Sequence, residues 1–124
     1  MLINYLIVAF GAIFGVFARV FLTKWIKEKW KGSFPLATFL INLSGAFILG
    51  LVTGTGLPDR LALLAGTGFV GTYTTFSTWM IEGFELQRRR HPMIFWSYLA
   101  GTALFGIAAV FVGMKLGHVL QFMR

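Results

Sequence analysis

Residues 66–84 read GTGFVGTYTTFSTWMIEGF, an apolar stretch in which glycines and hydroxyls are concentrated before the last tryptophan. These small and polar residues include Gly66, Gly68, Gly71, Thr72, Thr74, Thr75, Ser77 and Thr78. Because they make a poor regular helix, we predict a membrane-spanning helix that is broken in its middle. Broken backbone at membrane depth is tolerated only where it is buried in protein or lines a wet cavity. The alternative is an intact helix whose hydroxyls bond back to its own carbonyls.

Three further apolar stretches surround this one in the chain. Together the four predicted spans cover residues 2–22, 34–55, 61–84 and 93–113. Each is long enough to cross a hydrocarbon core of about 30 Å. The connectors are short and rich in charge, glycine or proline, so neighbouring helices form hairpins. We predict an all-α integral membrane protein with one four-helix domain over residues 1–124.

The composition agrees with a bilayer environment. Of the 124 residues, 57% are hydrophobic and 12% are charged, whereas a soluble domain has about 25% charged residues. There is no cysteine, which excludes disulfides and thiolate metal sites. The two histidines, His91 and His118, do not form a cluster of metal ligands. The net charge of +7 lies in short loops, where lipid headgroups explain it better than nucleic acid does.

Glycines at intervals of four residues predict close helix packing. Three such pairs occur: Gly11 and Gly15, Gly50 and Gly54, and Gly113 and Gly117. Each pair places two glycines on one helical face, where backbones can approach closely in lipid.

Basic residues are distributed unequally between the two sides of the predicted bundle. Seven lie in the connectors after the first and third spans: Lys24, Lys27, Lys29, Lys31, Arg88, Arg89 and Arg90. The other side has three, which are Arg60, Lys115 and Arg124. The positive-inside tendency therefore predicts that the seven are cytoplasmic and that both termini are outside.

Several polar or aromatic residues within the spans are candidates for ion contact. Asn42 lies in the middle of the second span, where its NH₂ group can donate to an anion or to a neighbouring helix. Phe76 and Trp79 share a helical face, and their positive ring edges can meet an anion. Glu82 follows one turn later, and Arg19 can extend to the interface at the end of the first span.

The fourth span carries a short stripe of hydroxyls, formed by Tyr98 and Thr102 with Ser97 adjacent. Taken alone, this stripe is weak evidence for an ion path.

Two other functions compete with an anion path. A small multidrug-type cation exporter needs a carboxylate inside the membrane, but all four acids lie near helix ends or in loops: Glu28, Asp59, Glu82 and Glu85. A non-transporting membrane assembly subunit would explain the glycines but not the hydroxyl-rich break. An enzyme is disfavoured, because no carboxylate pair, histidine cluster or nucleophile–base pair is present.

Along essentially its whole length the sequence resembles the Fluc (CrcB-type) fluoride channels. The resemblance rests on three segments: Gly11-x-x-x-Gly15-x-x-x-Arg19, ATFLINLSGAFILG around Asn42, and GFVGTYTTFST in the third span. It implies an antiparallel, inverted dimer with two anion pores and passive export of fluoride across the plasma membrane. It also implies a structural Na⁺ at the dimer interface.

The resemblance further implies roles for individual residues. Asn42 would face the ion, Phe76 would be the first aromatic of the pore, and the carbonyls of Gly71 and Thr74 would hold Na⁺. Arg19 would border the vestibule and Glu82 the pore. The polar track would be formed by Thr75, Ser77, Thr78, Tyr98 and Thr102. Trp79 departs from the family pattern, which has phenylalanine there, and Thr72 departs from a glycine beside Gly71.

The unequal distribution of basic residues between the two sides affects how two subunits can assemble. One sequence that inserts in both orientations needs little orientation bias, whereas this chain has seven cations against three. We therefore expect this chain to be one half of a heterodimer with a paralogue of opposite bias, rather than to pair with itself. If Trp79 no longer contacts the ion, this would be consistent with a heterodimer whose two chains contribute different pore residues.

Overall fold

A computed structural model describes residues 1–124, and helices joined by short connectors are its only regular secondary structure, with no strand. The helices in chain order are α1 (Leu2–Lys29), α2 (Leu36–Thr55), α3 (residues 59–73), α4 (Ser77–Arg88) and α5 (Pro92–Met123). Helix α3 is a continuous run of three pieces, an α-helical turn Asp59–Ala62, a π-helix Leu63–Val70 and an α-helical turn Gly71–Tyr73.

Three of these helices, α1, α2 and α5, are long and apolar enough to span a membrane. The predicted third span, residues 61–84, is not one continuous helix but is divided between α3 and α4. Residues 74–76 separate the two, and Thr74 has extended backbone with φ −80° and ψ 158°.

The outer helices are longer than predicted. Helix α1 continues from residue 22 to Lys29, and α5 continues from residue 113 to Met123. The prediction followed hydropathy, which marks the edge of the apolar layer and not the end of the helix. Lysine, glutamate, leucine and methionine are good helix formers, so the backbone stays helical beyond that edge.

Close glycine contacts hold the helices together in two pairs, α1 with α3 and α2 with α5. A Cβ atom on Gly11 would collide with the carbonyl oxygen of Leu64, and one on Gly50 with that of Val110. The predicted role of the glycine pairs is confirmed, because all six residues are buried: Gly11, Gly15, Gly50, Gly54, Gly113 and Gly117.

Most large apolar side chains point outward. Only 17 of 124 residues are buried, and α1 exposes more than half of the side chains of Phe10, Phe14, Phe17 and Phe21. A surface this apolar requires lipid or another protein to cover it.

Candidate functional site

The interruption between α3 and α4 is held by Asn42 of α2. Its Nδ2 donates to the Thr75 carbonyl at 2.9 Å, and the Thr75 N–H donates to its Oδ1 at 2.9 Å. In a continuous helix the Thr75 N–H would bond to the carbonyl of Gly71, four residues earlier. The carboxamide of Asn42 therefore replaces one step of the helical ladder.

Two carbonyls at the interruption lie outside the helical ladder as a result. The Thr74 N–H donates to the Val70 carbonyl, and none of the backbone N–H groups of residues 74–76 donates to the Gly71 carbonyl. The Thr78 N–H donates to the Thr75 hydroxyl oxygen instead of the Thr74 carbonyl. The Thr74 carbonyl receives only a long contact of 3.5 Å from Nη1 of Arg19.

The hydroxyls of this region divide into two groups. The hydroxyls of Thr72, Thr74 and Thr102 donate to backbone carbonyls three or four residues earlier in the chain, as in the alternative of an intact helix. The Thr72 hydroxyl also lies within 3.0 Å of the Ala12 carbonyl of α1. The Thr75 hydroxyl instead caps the start of α4, with the Thr78 N–H at 3.3 Å and the Thr78 hydroxyl oxygen at 3.2 Å. Of these hydroxyl-bearing residues, Ser77 and Thr78 in the first turn of α4 are exposed, whereas Thr74 and Thr75 at the interruption are half-buried.

An open groove of about 360 Å³ runs past the interruption. Six of the predicted site residues line it, namely Asn42, Thr74, Thr75, Phe76, Trp79 and Thr102. The ring centroids of Phe76 and Trp79 are 5.4 Å apart, as expected for residues on one helical face, and Phe76 is 71% exposed. The groove thus combines polar groups with aromatic rings.

The three residues of the predicted hydroxyl stripe on α5 have different surroundings in the structure. Tyr98 is fully buried between the rings of Phe34 and Trp79, Thr102 lines the groove, and Ser97 is exposed on another face. The hydroxyl of Thr102 donates to the Tyr98 carbonyl at 2.6 Å and is not free for a ligand in this geometry.

A second cleft, of about 320 Å³, lies on the other side of Thr75 and is rich in positive charge. Its charged residues are Arg19, Lys24, Lys27 and Glu82, and its hydroxyls are Thr23, Thr38, Thr75 and Thr78. Glu82 makes no salt bridge, since the only one in the chain joins Glu85 and Arg89. Three cations against one carboxylate favour an anion over a cation here.

Sequence reasoning missed Thr38, whose hydroxyl donates to Oε1 of Glu82 and which is 3% exposed. A signal was available, because Thr38 lies four residues before Asn42 and so on the same face of α2. It was overlooked because a single threonine in an apolar helix is common.

Comparison with known proteins gives matches along nearly the whole chain. The family model described as "CrcB-like protein, Camphor Resistance (CrcB)" matches residues 6–114. A protein named Fluoride-specific ion channel FluC 2 from Bacillus cereus is 46% identical over 118 residues, which are 95% of this chain and 100% of the relative. Fluoride-specific ion channel FluC 1 of Listeria monocytogenes is 45% identical over 94% of this chain and 99% of its own length. FluC 1 of Geobacillus kaustophilus is 39% identical over 91% and 97%, respectively.

Proposed function

We propose that this chain, which belongs to the CrcB-like protein family, is a pore-forming subunit of a fluoride-selective channel. It is a multi-pass membrane protein and not an enzyme. The observation that carries the proposal is the 46% identity, over 95% of the chain, to a protein named as a fluoride-specific ion channel.

The geometry supports this function through the groups around the interruption. Fluoride is small and strongly hydrated, so a pore must replace its water with many hydrogen-bond donors and without a fixed charge that traps it. The groove offers the remaining N–H of Asn42 and the ring edges of Phe76. We infer that residues 74–76 break the third span inside the bilayer and that the anion passes beside them.

The positively charged cleft fits the entrance to such a path. Arg19, Lys24 and Lys27 would raise the local concentration of anions. If this side is cytoplasmic and both termini are outside, the membrane potential, negative inside, drives fluoride out of the cell across the plasma membrane. This passive export would lower the toxicity of fluoride.

The assembly we propose is an antiparallel, inverted dimer with a structural Na⁺. The carbonyls of Gly71 and Thr74 would hold the ion, and they fit this role because neither accepts from the helical ladder. Unwound carbonyls of this kind are the usual Na⁺ ligands in membrane proteins. One chain offers two of them, so a site shared by two subunits would have four. A Cβ on Gly71 would meet no neighbour closer than 3.9 Å, which leaves room for a second subunit.

The second subunit is expected to be a paralogue of opposite charge bias. The bias of seven cations against three favours one orientation for this chain. Relatives with the numbered names FluC 1 and FluC 2 are in keeping with pairs of related chains. No observation favours a cation exporter or an assembly subunit instead.

Fluoride efflux from proteoliposomes tests the proposal directly. We expect efflux from vesicles that hold this chain, alone or with its paralogue, and a loss of about tenfold or more in Phe76→Ile, which removes the ring edge. Phe122→Ile is the matched control, because Phe122 is 91% exposed near the end of α5. If no combination passes fluoride, the channel function is wrong; if Phe76→Ile conducts normally, only the role of this ring is wrong.

A further inference from the structure

A cleft of about 370 Å³ lies between the first turns of α1 and the start of α3. Its apolar wall is formed by Ile3, Leu6, Ile7, Phe10, Leu61 and Leu64, and the only other residue that lines it is Arg60. Apolar walls offer no hydrogen bonds to replace those of water, so a hydrated ion gains nothing by entering. A ligand of this cleft must therefore be mainly apolar.

The cleft exists because the close contact between α1 and α3 does not continue to the N-terminal ends of the two helices. The face of α1 that carries Gly11 continues, at intervals of four residues, to Ile7 and Ile3. Their branched side chains keep the two backbones apart, whereas glycine allows them to touch. The first turn of α3, Asp59–Ala62, accordingly has few close contacts with α1.

Arg60 places a positive charge at the membrane end of this cleft, and no acid in the chain neutralises it. The side chain is exposed, and the only salt bridge in the chain joins Glu85 and Arg89. Asp59 precedes Arg60 in the sequence but does not line the cleft. Arg60 comes directly before the predicted third span, which places its guanidinium where the apolar layer meets the lipid headgroups.

We propose that this cleft binds one phospholipid molecule, with an acyl chain against the apolar wall and the headgroup phosphate at Arg60. The wall extends along α1 from Ile3 to Phe10, which is about 10 Å, and it carries no hydroxyl or carboxylate that an acyl chain would leave unpaired. A guanidinium binds a phosphate through two parallel hydrogen bonds. A lipid with a net negative headgroup, such as phosphatidylglycerol, is therefore bound more tightly than a zwitterionic one.

The lipid site is separate from the proposed anion path. Arg60 and Thr74 are 14 positions apart in the sequence, which corresponds to about 20 Å along α3. The site lies in the leaflet opposite to the seven-cation side, and it does not depend on the channel function. We expect its variants to bind lipid differently while fluoride efflux in excess lipid stays unchanged.

Native mass spectrometry of the whole protein in detergent tests the role of the charge. The protein is titrated with phosphatidylglycerol and with phosphatidylcholine that has the same acyl chains. We expect one phosphatidylglycerol per chain, bound about fivefold more weakly by Arg60→Gln. Lys115→Gln is the matched control and keeps the affinity of the wild type, because Lys115 is an exposed cation on the same side that does not line the cleft. Equal affinities of wild type and Arg60→Gln overturn the proposal, as does displacement of the lipid by inorganic phosphate.

The apolar part of the site is tested by Leu6→Trp, whose larger side chain occupies the space of the acyl chain. We expect the affinity for both lipids to fall about tenfold. Leu104→Trp on α5 is the matched control, because Leu104 is 68% exposed, against 60% for Leu6, and does not line the cleft. If Leu6→Trp lowers the dimer fraction and leaves lipid binding unchanged, a second subunit covers the cleft and the proposal is wrong.

Discussion

Asn42 makes two hydrogen bonds to one residue, Thr75, and so fixes where the helical ladder stops. Its amide has two N–H groups, of which one is given to the Thr75 carbonyl and the other remains. Because Asn42 also lines the groove, the remaining N–H is compatible with the ion contact that the resemblance implies. The same side chain can therefore position the backbone and serve the anion.

The substitution Asn42→Ala tests whether this side chain both positions the backbone and contacts the anion. The substitution leaves the N–H and C=O of Thr75 without partners, which costs about 1–3 kcal/mol for each buried group. We expect fluoride efflux to fall about tenfold or more and the unfolding temperature in detergent to drop. Thr53→Ala is the control on the same helix, because the Thr53 hydroxyl is exposed and bonds only to the Leu49 carbonyl. Unchanged stability and efflux in Asn42→Ala would mean that Asn42 neither holds the interruption nor contacts the ion.

Other contacts between individual residues could not be predicted from the sequence. The hydroxyl and glycine content of residues 66–78 marks a poor helix, but nothing in it shows that Thr75 takes its partner from α2. The bond between Thr38 and Glu82 joins residues 44 positions apart, and no local spacing links them. Such pairs follow from helix packing, which single-sequence patterns do not encode.

At the scale of the element, the paired glycines determine how closely the helices approach. Lipid offers no hydrophobic driving force between helices, so close backbone contact stabilises the bundle. The sequence predicted these faces correctly, because they depend only on a spacing of four residues. It did not predict the ends of α1 and α5, since hydropathy falls at the membrane surface while helix propensity does not.

Gly50→Val is expected to destabilise the contact between α2 and α5. Its side chain would collide with the Val110 carbonyl oxygen, and overpacking of this kind costs about 1–3 kcal/mol. The measurement is the free energy of unfolding in detergent. Gly106→Ala on α5 is the matched control, because no atom lies within 4 Å of its added Cβ. The control should be neutral or more stable by up to about 1 kcal/mol, and an equal loss in both variants would contradict the assigned packing.

At the scale of the whole molecule, we expect a second subunit to contact both the exposed apolar surface and the carbonyls at the interruption. If Na⁺ is bound between the carbonyls of two subunits, it binds the dimer and not the separate chains. An ion present at a hundredfold excess over its Kd stabilises the bound form by about 2.7 kcal/mol. Replacing Na⁺ with N-methylglucamine should then lower the dimer fraction and the unfolding temperature. A dimer equally stable in both solutions would contradict the sodium site.

The orientation of the chain in the membrane can be measured by labelling single introduced cysteines, because the chain contains no cysteine of its own. We expect an impermeant maleimide to label Met123→Cys in intact cells but Ser33→Cys only after permeabilisation, because the seven-cation side is predicted to be cytoplasmic. Both positions are exposed, and Ser33→Cys is nearly isosteric. Equal labelling of both in intact cells would show that the chain inserts in both directions, which removes the main argument for a heterodimer.

The wide π-helical turns at Leu63–Val70 affect the angle around the helix axis at which the following residues lie. There the Gly71 N–H reaches back five residues to Gly66, so this stretch holds one residue more than an α-helix with the same number of bonds. The same residues in an ordinary α-helix would turn further per residue, and Thr75 would then meet α2 at another angle around the helix axis. We expect the π-helical turns to contribute to the angle at which Thr75 meets the carboxamide of Asn42.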